Sequence, residues 1–70
     1  MEEISIRKAK EIADERKLHP GIVKGTEVIQ FTKGGTPRVN IISWERFEGI
    51  LKKRKLKIME NDGWMKIFSK

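Results

Sequence analysis

The sequence predicts an α+β fold in which two helices pack on antiparallel strands, in the order (β)αβββαββ. Two segments repeat their apolar residues at the three- and four-residue spacing of a helix, whereas the segments between and after them alternate apolar and polar residues, as strands do. The chain has 70 residues and no Cys. We therefore expect one small domain, residues 1–70, whose core forms without disulfides, either alone or with a second copy.

The first helix is predicted from Ser5 to Leu18, after a short strand at residues 1–4. Ser5 is a good N-cap because its hydroxyl can accept a hydrogen bond from a free backbone N–H of the first turn. His19-Pro20-Gly21 is expected to end the helix, since Pro20 has no N–H to continue the hydrogen-bond ladder. The predicted buried stripe consists of Ile6, Ala9, Ile12 and Ala13.

The second helix is predicted from Ser43 to Leu56, after a short strand at residues 39–42. Ser43 is its predicted N-cap, and Glu45 stands in the first turn, where the positive end of the helix dipole favours an acid. The predicted buried stripe consists of Trp44, Phe47, Ile50 and Leu51.

The last hairpin has the clearest turn signal. A two-residue type I′ loop needs positive φ at both central residues, and Asp62-Gly63 tolerates this conformation. Such a loop would place Ile58 opposite Ile67 and Met59 opposite Lys66. One face of the hairpin would then carry Leu56, Ile58, Met65 and Ile67, and the other face Lys57, Met59, Trp64, Lys66 and Phe68.

Two further connections are predicted between the helices. Lys24-Gly25 is expected to join Ile22-Val23 to a strand over residues 26–32. A Gly-rich loop over residues 33–37 is expected to lead into a strand over residues 38–42. That loop would make the two strands a hairpin, with Ile29 opposite Ile41 and Phe31 opposite Val39. All strands are therefore predicted to be antiparallel.

The sequence also favours an internal duplication. A shift of 38 residues, without gaps, superposes Ser5 on Ser43, Ile12 on Ile50, Arg16 on Arg54, Lys17 on Lys55, Leu18 on Leu56, Gly25 on Gly63 and Ile29 on Ile67. These matches place cap on cap and hairpin glycine on hairpin glycine. The hypothesis is two helix-plus-hairpin units, at about residues 1–32 and 39–70, related by a pseudo-two-fold axis. The alternative is chance similarity.

Positive charge is concentrated in the second half of the chain. Residues 1–35 hold 7 basic and 6 acidic side chains, a net charge of +1, whereas residues 36–70 hold 9 basic and 4 acidic ones, a net charge of +5. The centre of this charge is the basic cluster at residues 52–57, at the predicted end of the second helix. Such a cluster suits phosphate groups, although a solvated helix end that complements the helix dipole is the alternative. The candidate phosphate contacts are Lys52, Lys53, Arg54, Lys55, Lys57, Lys66, Lys33 and Arg38.

The second face of the last hairpin mixes apolar and basic side chains. Trp64, Met59 and Phe68 are not expected to face water without a partner. Either they stack on the bases of a single-stranded nucleic acid while lysines contact its phosphates, or they are buried in a homodimer. The sequence does not decide between base stacking and burial in a homodimer.

The chain holds few residues suited to catalysis. His19 is the one histidine and is expected to be a C-terminal helix cap or a surface residue, and the acids are scattered; we therefore predict no enzyme, no metal and no cofactor. The predicted function is non-enzymatic binding of DNA or RNA with little sequence specificity, the alternative being a homodimeric protein-interaction or regulatory module.

No apolar run exceeds two residues, so a cytoplasmic protein without a membrane partner is expected. Abundant Ile and Lys are typical of thermophile proteins.

Overall fold

The computed structural model describes residues 1–70 and has two helices and six strands. The order of these elements is the predicted one, and all strand pairs are antiparallel, so the α+β class is confirmed. Neither helix combines the length and the apolar character that crossing a bilayer requires. The elements are β1 (Glu2–Ile4), α1 (Ile6–Arg16), β2 (His19–Val23), β3 (Ile29–Thr32), β4 (Val39–Ile41), α2 (Trp44–Lys53), β5 (Leu56–Asn61) and β6 (Trp64–Ser69).

The strands form two three-stranded sheets that interlock the two halves of the chain. One sheet has the order β1-β5-β6 and the other the order β3-β2-β4. Each sheet thus combines a hairpin from one half with a short strand from the other half. Ile4 of β1 lies opposite Ile58 of β5, and Asn40 of β4 lies opposite Ile22 of β2. Neither sheet can therefore form from one half alone.

Both predicted N-caps are present. The hydroxyl oxygen of Ser5 accepts a hydrogen bond from the backbone N–H of Lys8 at 3.2 Å, and that of Ser43 accepts one from Arg46 at 3.1 Å. Both helices end earlier than predicted, because a lysine after each adopts the left-handed conformation, Lys17 with φ 58° and Lys55 with φ 54°. This single residue turns the chain from the helix into the following strand.

The first helix ends before His19-Pro20-Gly21, as expected, but these residues also begin β2, the central strand of its sheet, which was predicted only at Ile22-Val23. Pro20 is buried there although it cannot donate a hydrogen bond. Pairing with β4 begins only at Gly21, so the missing N–H falls just beyond the ladder. The Pro20 carbonyl still accepts a hydrogen bond from the N–H of Ile42 at 2.9 Å.

The first hairpin has a longer turn than predicted. The N–H of Val23 donates to the carbonyl of Val28 at 2.9 Å, and the next strand begins at Ile29, not at residue 26. The hydroxyl of Thr26 accounts for the extra length, because it donates to the Val23 carbonyl at 2.8 Å and accepts from the N–H of Val28 at 3.0 Å. Gly25 takes the positive φ of 76° that the turn requires.

The predicted hairpin between β3 and β4 is also wrong. These strands flank β2 on opposite sides, so Ile29 lies opposite Ile22 and not opposite Ile41; Phe31 lies opposite Pro20 and not opposite Val39. Residues 33–38 instead carry the chain from one end of the sheet to the other. The chain reverses at the end of this segment, where Thr36 and Val39 exchange backbone hydrogen bonds of 3.0 and 3.2 Å.

The last hairpin is as predicted. Asp62 and Gly63 have φ of 51° and 84°, the positive values of a type I′ loop. Ile58 lies opposite Ile67, which places the apolar positions of both strands on the inner face.

Several local features of the two halves agree. Gly25 and Gly63 both have positive φ, and both serines cap helices. The longer first turn, however, breaks one predicted match: Ile29 lies opposite Ile22, the position that Met65 holds opposite Glu60, so Ile29 corresponds to Met65 and not to Ile67. Common descent of the two halves stays a hypothesis.

The core is formed by side chains from both helices and both sheets. Phe47 of α2 and Ile58 of β5 are almost fully buried, with 0% and 1% of their surface exposed. The Phe47 ring packs on Phe31 and Trp44, with ring centroids 5.2 and 5.5 Å apart. The buried cluster consists of Ala9, Ile22, Ile29, Phe47, Ile50 and Ile58.

Candidate nucleic-acid interface

The outer face of the β1-β5-β6 sheet carries aromatic side chains that the core does not cover. Because alternate residues of a strand point to opposite faces, burial of Ile58 and Ile67 on the inner side leaves Trp64 and Phe68 outside. Trp64 is 65% exposed and Phe68 is 44% exposed, while Met59 is half-buried. The structure thus presents the apolar side chains singled out from the sequence on one open surface.

Lysines alternate with these aromatic residues. Along β6, Trp64, Lys66 and Phe68 follow one another on the same face, about 7 Å apart from one to the next. The β5 residues opposite them add a second row, with Met59 opposite Lys66 and Lys57 opposite Phe68. Each large apolar side chain therefore has a cation beside it.

The basic cluster predicted at the end of the second helix is distributed over three kinds of structure. Lys52 and Lys53 lie in the last turn of α2, and Arg54 and Lys55 form the turn to β5; all four are exposed. Lys57 belongs to β5 and lies half-buried on the outer face, beside Phe68. It is the residue that connects the cluster to the aromatic face.

An open cleft between β1, the end of α2 and the start of β5 brings several of these lysines together. Glu3 and Glu48 are the acids on its walls. Lys70 was missed by sequence reasoning because it is distant from the cluster in the chain, yet its backbone N–H donates to the Lys55 carbonyl at 3.1 Å. The lysines of this lysine cleft are Lys52, Lys55, Lys57 and Lys70.

Two of the predicted phosphate contacts have carboxylate partners. Lys52 lies 3.5 Å from Glu48, and Lys53 lies 3.6 Å from Glu27. Solvent reaches both pairs, although Glu48 is half-buried, so each contributes at most about 1 kcal/mol and is weakened by salt. No carboxylate lies within ion-pair distance of the other candidate cations, Arg54, Lys55, Lys57, Lys66, Lys33 and Arg38.

The predicted hairpin between β3 and β4 would have placed Lys33 and Arg38 together at its base, but the structure separates them. Lys33 follows β3 at the end of the sheet where His19 and Thr32 pair. Arg38 lies at the opposite end, where its carbonyl accepts a hydrogen bond from the N–H of Lys24 at 2.8 Å. The length of β2, roughly 13 Å, separates the two positions. Lys33 alone is therefore close to the aromatic face.

A second groove lies beside the tip of the last hairpin, where β3 and β6 approach each other. Three cations line this tip groove, and none of its lining residues is acidic. The Nη2 atom of Arg16 donates to the Asp62 carbonyl at 2.8 Å and so fixes α1 to the hairpin. Sequence reasoning missed this groove because its residues come from distant parts of the chain: Arg16, Leu18, Phe31, Lys33, Trp64 and Lys66.

His19 is exposed at the first residue of β2, opposite Thr32. Of the two expectations, a helix cap or a surface residue, the structure agrees with the second, and His19 belongs to a strand. An open depression places it with Lys10, Asp14 and Lys17 beside the C-terminal half of α1.

Comparisons with protein-family models, with curated proteins and with solved structures find no match to this chain. Inferences about its function therefore depend on its own residues.

Proposed function

We propose that this chain is a non-enzymatic domain that binds DNA or RNA, mainly through phosphate contacts and with little sequence specificity. The observation that supports it most directly is the position of Lys57, which lines the lysine cleft and also lies opposite Phe68 on the outer sheet face. Cations and aromatic rings therefore form one continuous surface. We call it the basic-aromatic strip; it consists of Lys55, Lys57, Phe68, Lys66 and Trp64.

The strip suits a nucleic acid because it offers both kinds of group that such a ligand needs. Ammonium groups attract phosphates and release the counterions condensed on them. An exposed aromatic ring can stack on any base, since every base has a π-face, and each such stack contributes about 1–3 kcal/mol. Alternation of Lys66 with Trp64 and Phe68 places both groups within reach of one strand.

Low sequence specificity follows from the side chains in the strip. Lysine is a flexible point charge that contacts phosphates without reading base edges, in contrast to the fixed fork of an arginine. The strip contains no arginine and no acid, and Asn61, opposite Trp64, is the amide beside it. Base stacking discriminates only weakly among sequences.

The test compares the same substitution, Lys→Asn, at two positions that share the left-handed backbone conformation. Lys55 and Lys17 are both left-handed residues after a helix, and asparagine tolerates this conformation. Lys55→Asn removes a cation of the strip, whereas Lys17→Asn removes one from the end of α1. Binding of a labelled oligonucleotide, measured by fluorescence anisotropy in about 50 mM salt, should weaken roughly three- to tenfold in Lys55→Asn.

The control variant Lys17→Asn should bind within about twofold of the unaltered chain. Equal losses in both variants would show that net charge alone attracts the oligonucleotide. Absence of binding by the unaltered chain at this salt concentration would refute the proposed function.

A homodimer is the second candidate, because the outer face exposes Trp64 and Phe68 by 65% and 44%. Burial of several hundred Å² of such surface would contribute roughly 25 cal/mol per Å² before the costs of association. Light scattering decides between the two candidates. A dimer that Trp64→Lys converts to a folded monomer would favour this protein-interaction module, whereas a monomer that binds oligonucleotides would favour nucleic-acid binding.

We further propose the cytoplasm as the setting, where DNA and RNA are accessible, and duplication of one unit as the origin of the fold. The strand registers support the duplication. Glu2 of the first half lies opposite Glu60 of the second half. The equivalent positions, 38 residues later for the first and 38 residues earlier for the second, are Asn40 and Ile22, and these two residues lie opposite each other in the other sheet.

A further inference from the structure

We propose that the tip groove holds one unpaired nucleotide of a single strand, with its base against Trp64 and its phosphates near Arg16, Lys33 and Lys66. This inference rests on the proposed function and adds a preference for single strands over duplexes. The groove has a volume of about 520 Å³, within the range of roughly 300–1,000 Å³ that small-molecule sites occupy.

The charges of the groove favour an anion. Arg16, Lys33 and Lys66 converge on it, and no acidic residue lines it. Like charges that converge without a counterion repel one another, and a bound phosphate relieves this repulsion. Arg16 is held in place by the Asp62 carbonyl at 2.8 Å, yet this bond uses only one of the five N–H donors of a guanidinium. Donors therefore remain for phosphate oxygens.

The apolar part of the groove favours a flat ring. Trp64 is exposed, whereas Phe31 is half-buried and held by Trp44 and Phe47, with ring centroids 6.1 and 5.2 Å away. The groove thus joins a fixed aromatic ring to one that is free to stack. A base in a duplex is already stacked on its neighbours, so only an unpaired base can present its face here.

A strand, rather than a free nucleotide, is the inferred ligand because the groove continues into the basic-aromatic strip. Trp64 and Lys66 line the groove and also begin the row of outer-face residues on β6. Neighbouring nucleotides of the same strand would therefore meet Lys66, Phe68 and then Lys57. A free nucleotide would lose these contacts.

Fluorescence of Trp64 tests the inference. In Trp44→Phe the packing on Phe31 keeps an aromatic ring, and Trp64 remains as the only tryptophan. We expect a single-stranded oligothymidylate to quench its emission, and a duplex of the same length, thymidine monophosphate and inorganic phosphate to leave it unchanged at the same concentrations.

A second measurement uses the unaltered chain, which keeps both tryptophans, and compares its affinities for single-stranded and duplex oligonucleotides. Anisotropy should show single strands bound at least fivefold more tightly than duplexes. Lys33→Gln should reduce this ratio roughly threefold or more. Lys24→Gln is the matched control, because Lys24 is an exposed lysine in the turn at the other end of the β2-β3 hairpin, and it should leave the ratio unchanged.

The outcomes separate the inference from the function on which it rests. Equal affinity for single strands and duplexes, or oligonucleotide binding without a change in Trp64 emission, would overturn the groove assignment while nucleic-acid binding stands. Quenching by thymidine monophosphate at the concentrations effective for the oligonucleotide would overturn the assignment to a strand. Absence of binding to any nucleic acid would overturn both.

Discussion

Gly63 shows how a single residue positions the candidate interface. Its φ of 84° is a conformation that side chains rarely adopt, and the space where a Cβ would lie is occupied by the guanidinium of Arg16. Glycine therefore permits both the tight turn and the approach of α1 to the hairpin. This contact brings Arg16 beside the hairpin tip, where it lines the same groove as Trp64.

We predict that Gly63→Ala destabilises the fold more than Gly25→Ala does. Gly25 has a similar φ of 76° but no atom within 4 Å of the added Cβ, so Gly25→Ala should cost only the left-handed strain, about 1–2 kcal/mol. Gly63→Ala must also displace Arg16 and lose its hydrogen bond to Asp62, for a further 0.5–1.5 kcal/mol or so. Urea unfolding measures both.

Arg16→Ala is the control for this comparison. If the Arg16 contact causes the difference, the two glycine substitutions should cost the same in the Arg16→Ala chain, as in a double-mutant cycle. A difference that persists without Arg16 would contradict the explanation.

The helices and strands show why some elements were predictable and others were not. Helix caps and the Asp62-Gly63 turn depend on a few neighbouring residues, so their sequence pattern is sufficient. Pro20 in a central strand depends instead on where β4 stops pairing, which only the assembled sheet determines. The same reason explains why the hairpin between β3 and β4 was wrongly predicted. A Gly-rich loop indicates that the chain changes direction, but it does not determine which strand β4 pairs with.

The candidate interface also has one part that was predictable from the sequence and one part that was not. Alternation along one strand placed Trp64, Lys66 and Phe68 on a common face, and the structure agrees. The tip groove could not be predicted, because Arg16 and Phe31 reach it from α1 and β3 only after both sheets have formed. Likewise, no local pattern relates Lys70 to the lysine cleft.

Gly49 offers a prediction at the level of the helix. It lies exposed within α2, its φ is not positive, and nothing lies within 4 Å of an added Cβ. Alanine has the higher helix propensity, so Gly49→Ala should stabilise the fold by about 0.5–1 kcal/mol. Urea unfolding should show a higher midpoint with an unchanged slope, and oligonucleotide binding should not change. A lower midpoint would contradict the prediction.

The second half of the chain carries most of the net positive charge of the molecule, and its strands β5 and β6 carry the exposed aromatic residues Trp64 and Phe68. The β1-β5-β6 sheet receives only its short edge strand from the first half, while residues 36–70 hold 9 of the 16 basic side chains and 4 of the 10 acidic ones. A net charge of +6 draws polyanions to the protein in general. The proposed role of the basic-aromatic strip is more specific, because it requires that particular lysines contact phosphates.

Salt dependence of binding tests that claim most directly. For single strands, the slope of log K against log salt is about −0.7 per phosphate contact. Contacts from Lys55, Lys57 and Lys66 predict a slope near −2 or steeper, and removal of two of them in Lys55→Asn/Lys57→Gln should make it shallower by about 1.4. A slope that is the same in this double variant as in the unaltered chain would contradict the account, since the lysines of the strip would then contact no phosphate.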